Sequence, residues 1–314
     1  MIKKLRVLFG VFLLLAGCGF FLYPNIREWK TQQEVNQISA ALRNDNFTAD
    51  AKDETEESDI PFSDLHDEMQ AYNEELVISG QNIMDAWNYE QAPSEFDLSL
   101  LDGAIGYIEI PDMKVRLPLY LGASGENLAK GAAVLSGTSM PIGGESTNCV
   151  IAGHRGWRGS AYFQYIENME IGSLVYITNP WETLTYQVTG TDIVIPSNVD
   201  CTKIQEGKDM VTLISCHPYV LGGGAYRYLV FCERTEDVDD EAVLEKNVQE
   251  STEDINTVEA VEDREQDNLI DMNDNELLEL EVRLRTVLPA LTLLFAGGII
   301  LIRGRNRKKK NKKP

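Results

Sequence analysis

Two apolar runs bordered by positive charge sit near the two ends of this 314-residue chain and constrain everything between them. The first covers residues 7–23 and follows Lys3, Lys4 and Arg6. The second covers residues 286–302 and is followed by Arg303, Arg305, Arg307 and a group of lysines. Each is about 17 residues long, the lower limit for a helix that crosses a bilayer core. Lys and Arg collect on the cytoplasmic flank of membrane segments. The pattern therefore predicts two transmembrane helices, cytoplasmic ends at 1–6 and 303–314, and residues 24–285 on the far side of a cell membrane. A second reading of the first run stays open. Leu15-Ala16-Gly17-Cys18 has the form of a lipoprotein processing site, which would leave Cys18 as a lipidated N-terminus. The apolar run continues through Phe20, Phe21, Leu22 and Tyr23, where a cleaved signal normally turns polar, so an uncleaved anchor fits better.

Charge is unevenly spread. The net charge is −22 although both ends are basic. Residues 237–285 are dense in Asp and Glu and poor in aromatics, a composition that solvates rather than packs, so this stretch reads as a spacer. Such an exterior repels phosphates and argues against nucleic acid as a partner. The five cysteines fit no zinc-binding spacing and form no CxxC pair. Cys149, Cys201 and Cys232 are expected to be buried small residues.

Periodicity divides the remainder. Residues 25–42 have helical composition and 45–59 are a polar linker. A helix is expected from Ser63, which can cap it, because Leu65, Met69, Tyr72 and Leu76 recur at helical spacing. Residues 82–97 lose the period and contain Pro93, so they read as a loop. From residue 104 the period becomes two. Strands are expected at 104–110, 115–121, 133–135, 148–152, 174–178, 184–190, 191–195, 211–215 and 226–232, with a short helix at 126–131. Many short strands at close spacing point to a barrel or a sandwich. The organisation is thus a helical region over 24–97 and a β domain over 98–236.

Three histidines limit the chemistry. His66 lies among acidic residues on a helix face and is given no role. His217 follows Cys216, and adjacent strand residues point to opposite faces, so the two are badly placed to pair. His154 ends the run Cys149-Val150-Ile151-Ala152 between Gly153 and Gly156, where a strand opens toward a cleft. Pattern alone leaves it either a structural or a functional histidine. Cys216 ends the β-branched run Val211-Thr212-Leu213-Ile214-Ser215, also where a strand opens. Gly222, Gly223 and Gly224 permit a turn that returns Tyr226-Arg227-Tyr228-Leu229-Val230 beside it. Cys216 and Arg227 are then neighbours at one end of adjacent strands. A guanidinium there can support a thiolate nucleophile and stabilise an oxyanion.

These residues resemble the sortases, membrane-anchored cysteine transpeptidases of Gram-positive bacteria. Thr212-Leu213-Ile214-Ser215-Cys216, Ala152-Gly153-His154-Arg155-Gly156 and Tyr226-Arg227-Tyr228-Leu229-Val230 look like the family's Cys, His and Arg motifs. Gly106-Tyr107-Ile108-Glu109-Ile110-Pro111 resembles its opening strand. The resemblance covers about residues 71–234. It implies a mainly β fold, an eight-stranded sortase-type β-barrel preceded by a helical and lid region. It also implies catalytic roles for Cys216, His154 and Arg227, with no metal or organic cofactor. The second apolar run, and Ala71-Tyr72-Asn73 with Leu76, resemble class C, the pilin-polymerising sortases. That class carries an Asp-Pro-aromatic lid. Here Asp85-Ala86-Trp87 stands at the corresponding place, with Asp85 expected to pair with Arg227 and Trp87 to cover Cys216. Asp59-Ile60-Pro61-Phe62 is the weaker alternative. The partners so implied are an LPxTG-like sorting signal of a pilin or surface protein and an acceptor amine, from a pilin Lys or from a peptidoglycan peptide. A tethered barrel that only binds a peptide is the rival of another class.

Overall fold

The computed structural model describes residues 2–43, 61–83, 96–101, 103–157, 160–219, 224–235, 287, 291–296 and 299. The chain divides into two compact units. One comprises Met1–Trp29, Arg158–Ser160 and Thr252–Pro314, and the other comprises Lys30–Trp157 and Ala161–Ser251.

The first unit holds the N-terminal part of α1 (Ile2–Arg43), whose Leu5, Leu8, Phe9, Phe12 and Leu15 are exposed. Among the described residues no helix is long and apolar enough to cross a membrane. The expected transmembrane helices therefore find no counterpart there. The first run is the opening of a helix that continues unbroken to Arg43, and the second falls largely outside the described residues. The acidic spacer and the Asp85-Ala86-Trp87 segment also lie outside them.

The second unit is built on strands β1 (Ala104–Ile110), β2 (Val115–Leu121), β3 (Ala132–Val134), β4 (Thr147–Ala152), β5 (Arg155–Trp157), β6 (Ser160–Tyr162), β7 (Leu174–Thr178), β8 (Thr183–Val194), β9 (Asp209–His217) and β10 (Tyr226–Arg234). Eight of them close a barrel in the order β1-β2-β3-β4-β9-β10-β8-β7, while β5 and β6 form a separate two-stranded sheet. The pairs β2–β3 and β4–β9 are parallel, and the rest of the barrel is antiparallel. Helix α3 (Gly125–Lys130) supplies the crossover that the parallel β2–β3 pair requires, with the Ser124 hydroxyl accepting from the Asn127 amide at its N-terminus.

Alternation along the strands sorts their side chains into two clusters. Ile108, Leu119, Ile151, Ile177, Tyr186, Leu213 and Val230 belong to the larger one. Ala133, Val150, Ala152, Ile214 and Leu229 belong to the second, with Ile83, Leu128 and Leu135. Gly106 is required where β1 meets β7, since a Cβ there would lie 1.9 Å from the Thr178 carbonyl oxygen.

Two helical segments dock on the barrel. In α2 (Ser63–Ser79), the buried Asn73 accepts from the Met140 amide at 2.7 Å, and Trp181 Nε1 donates to the Pro61 carbonyl at 2.6 Å. From Lys30 onward α1 buries Val35, and Gln32 donates to the Arg116 carbonyl.

Three local expectations change. Ser63 does begin α2, but the residue before it, Phe62, occupies the cap position and no side chain caps the helix. The two strands expected at 184–190 and 191–195 are one, β8, running through Gly190. Beside Gly190, Thr189 is an extra residue of β8 where Phe231 and Cys232 of β10 pair with Gly190 and Val188. Cys201 is only half-buried, on a single helical turn, whereas Cys149 and Cys232 are buried as expected.

Candidate active site

The parallel register of β4 and β9 sets Ala152 opposite Ile214. Past the end of β4 the Gly153 amide still donates to the Ile214 carbonyl at 3.2 Å, and the Ser215 hydroxyl donates to the Gly153 carbonyl at 2.8 Å. The chain therefore carries His154 to the level of Cys216. On the other side of β9, Cys216 is paired directly with Arg227 of β10. Three adjacent strands thus bring the imidazole, thiol and guanidinium to one rim of the barrel. The adjacency of Cys216 and Arg227 agrees with the turn expected from the three glycines.

All three are buried: Cys216 is 6%, Arg227 7% and His154 8% exposed. The His154 ring stands edge-on to Tyr162 at 6.3 Å, and its carbonyl accepts from the Gly156 and Phe163 amides. Gly153 is sterically obligatory here, because a Cβ would lie 2.6 Å from the Phe163 ring. Arg227 folds back so that Nη1 donates to the carbonyls of Gly224 at 3.1 Å and Tyr226 at 2.9 Å. Beside Arg227 lies a small apolar cleft lined by Ile83, Leu135, Val194, Pro196, Val199, Ile214 and Leu229.

The other thiols of the barrel are chemically quiet. Burial pushes Cys149 and Cys232 far above the ordinary thiol range, and burial also raises Cys201. A thiol so raised carries almost no thiolate near neutral pH. Among the described residues no group of His, Cys, Asp and Glu could hold a metal ion.

A charged cluster missed in the sequence lies beside the rim. Arg155 has a side chain only 5% exposed and contacts Glu167 at 2.7 Å. Its Nε donates to the Gln164 carbonyl at 2.9 Å and its Nη1 to the Cys216 carbonyl at 3.2 Å. His217 turns away from Cys216, as strand alternation required, and its Nδ1 is 2.7 Å from Glu167 Oε1. Burial pushes the Glu167 carboxyl up, but Arg155 and His217 outweigh that and hold it below its ordinary value. Only His217 carried a sequence signal, its place on the opposite strand face. His66 is less solvated than expected, since its ring meets Trp181 edge-on at 4.9 Å.

A family profile described as a sortase domain matches residues 108–235. Sortase A of Streptococcus agalactiae serotype III is 32% identical over 116 residues, which is 36% of this chain and 46% of that protein. The chain thus spans about half the length of the first curated relative it matches. Among solved structures, sortase C-1 from Actinomyces oris is 31% identical and superposes with a TM-score of 0.50, covering 55% of this chain and 98% of that one. The structure described as Sortase C1 of GBS Pilus Island 1 is 25% identical with a TM-score of 0.55, covering 67% of this chain and 94% of that one. The chain belongs to the sortase family.

Proposed function

We propose that the protein is a cysteine transpeptidase of the class C, pilin-polymerising type. One observation carries the transpeptidase reading: Cys216 and Arg227 are paired on β9 and β10, and His154 sits at the same rim just past the end of β4. The Cys216 thiolate attacks the Thr carbonyl of an LPxTG-like sorting signal, forming an S–C bond. The Thr–Gly C–N bond breaks, and protonated His154 gives its proton to the departing Gly amine. A pilin Lys amine then attacks the thioester and passes a proton back to His154. The new isopeptide bond releases Cys216 as thiolate. Arg227 supports the oxyanion at both steps. No cofactor enters this chemistry.

The proposal extends to Asp85 and Trp87 as the lid over this rim. Ile83, two residues before Asp85, lines the same cleft as Arg227, which supports that reading. It also includes membrane anchoring through residues 7–23 and 286–302 with both termini cytoplasmic and the barrel outside, supported by the basic flanks.

The test is incubation of the protein with an LPxTG-like peptide and, separately, a pilin-type Lys peptide or a peptidoglycan-type amine. Mass spectrometry should find a thioacyl adduct on Cys216 and a product with the Lys amine. Product with the peptidoglycan amine alone would reassign it as a cell-wall-anchoring enzyme. Absence of any adduct would reduce it to a peptide-binding barrel.

A further inference from the structure

Arg155 and Glu167 have no part in the chemistry derived above, yet they join its two reacting residues. Arg155 is bonded covalently to His154 and hydrogen-bonded to the carbonyl of Cys216 at 3.2 Å. Glu167 Oε1 contacts both Arg155 Nη2 and His217 Nδ1 at 2.7 Å. One carboxylate thus ties the residue after the candidate proton donor to the residue after the candidate nucleophile. We propose that Arg155 and Glu167 are positioning residues, a clamp that fixes the spacing between the His154 imidazole and the Cys216 thiol. The proposal rests on the catalytic reading of those two residues.

The physical case lies in what an apolar plug could not do. Replacing a buried ion pair by hydrophobic groups of the same volume is often neutral for stability. Directional, charge-assisted bonds do something else: they hold named atoms at fixed separations. Arg155 uses its planar fork this way, reaching the Gln164 carbonyl, the Cys216 carbonyl and Glu167 from three different nitrogens. Lys, with one ammonium, cannot reproduce that geometry. His154 lies in the two-residue gap between β4 and β5, so strand pairing alone holds it less firmly than Cys216. A clamp is therefore most useful at that point.

The experiment compares wild type with Arg155→Met, Arg155→Lys and Glu167→Gln, each as the full chain. Three quantities are read: kcat and KM for the sorting peptide, the rate of Cys216 alkylation by iodoacetamide, and the thermal midpoint. Misplacing a reacting group by about 1 Å costs on the order of 100-fold in rate. Arg155→Met should lower kcat by about 10- to 100-fold with KM nearly unchanged, and should slow alkylation severalfold. Arg155→Lys should recover part of the loss, and Glu167→Gln should lose less than Arg155→Met. A midpoint that falls while kcat and alkylation stay at wild-type values, assayed well below that midpoint, overturns the clamp. Alkylation needs no peptide, so the two readings can fail separately. A wild type inert toward sorting peptide, whose alkylation still slows in Arg155→Met, rejects the transpeptidase reading and keeps the clamp.

Discussion

The two ends of β9 carry the same chemistry in different surroundings. At its start, Asp209 and Arg234 approach to 3.9 Å, Arg234 also reaches Glu182 at 3.4 Å, and Lys208 pairs with Glu233. At its end, Arg155 pairs with Glu167 beside Cys216. The Arg234 side chain is 28% exposed and that of Arg155 is 5% exposed. Water reaches Glu182, Lys208 and Glu233 of the first group, and exposed pairs of this kind contribute about 0–1 kcal/mol. In the second, Arg155 is buried and spends three nitrogens on Gln164, Cys216 and Glu167, while Glu167 is also held by His217. The charges at the start of β9 close the barrel's edge, whereas those at its end hold the site.

Four tests would break or sharpen that contrast. The largest effect belongs to the thiol at the end of β9. Cys216→Ala should reduce adduct formation to background, while Cys149→Ala and Cys232→Ala, whose thiols are held protonated by burial, should keep full turnover in the same assay. Next comes Arg227→Lys. It keeps the charge but loses the fork, and kcat should fall about 100-fold, within the range for removal of one oxyanion donor.

Stability separates the two ends further. Arg155→Ala should lower the free energy of urea unfolding by about 1–3 kcal/mol, because the buried carbonyls of Gln164 and Cys216 lose their donor and Glu167 is left with His217 alone. Arg234→Ala should change it by less than about 1 kcal/mol and leave turnover untouched. Equal losses at the two sites would remove the distinction drawn here. The smallest effect is one of pH. Glu167 is held below its ordinary value in the folded state, so its contribution is complete above the unfolded value of roughly 4.3 and is lost as pH falls through the folded one. The stability difference between wild type and Glu167→Gln should therefore shrink on acidification below about pH 4, in unfolding curves taken across that range.

How much of this was legible in the sequence depended on whether the signal was local. Period-two alternation marked most of the barrel strands. The glycines at 222–224 implied the return that sets Arg227 beside Cys216. His154 was only half legible from pattern, because nothing in a single strand reveals that β4 and β9 lie side by side in parallel. Glu167 was invisible, since its meaning depends on Arg155 and His217, and His217 is fifty positions away in the chain. Gly190 misled in the other direction. The two strands expected on either side of it are one, and β8 runs on through Gly190 with a bulge at the adjacent Thr189.

The parallel contact between β4 and β9 has a consequence for the order of events in folding. The hydrogen bond from Ser215 to Gly153 spans 62 residues of chain, and β7, β8 and the loops around them must be accommodated before it can close. Contacts of such long range form only after the loop-closure entropy between them has been overcome. Imidazole and thiol therefore meet late, when most of the barrel has assembled. A chain still emerging or partly unfolded holds Cys216 without His154 beside it, so the meeting of the two at this rim is itself a sign that the barrel is complete.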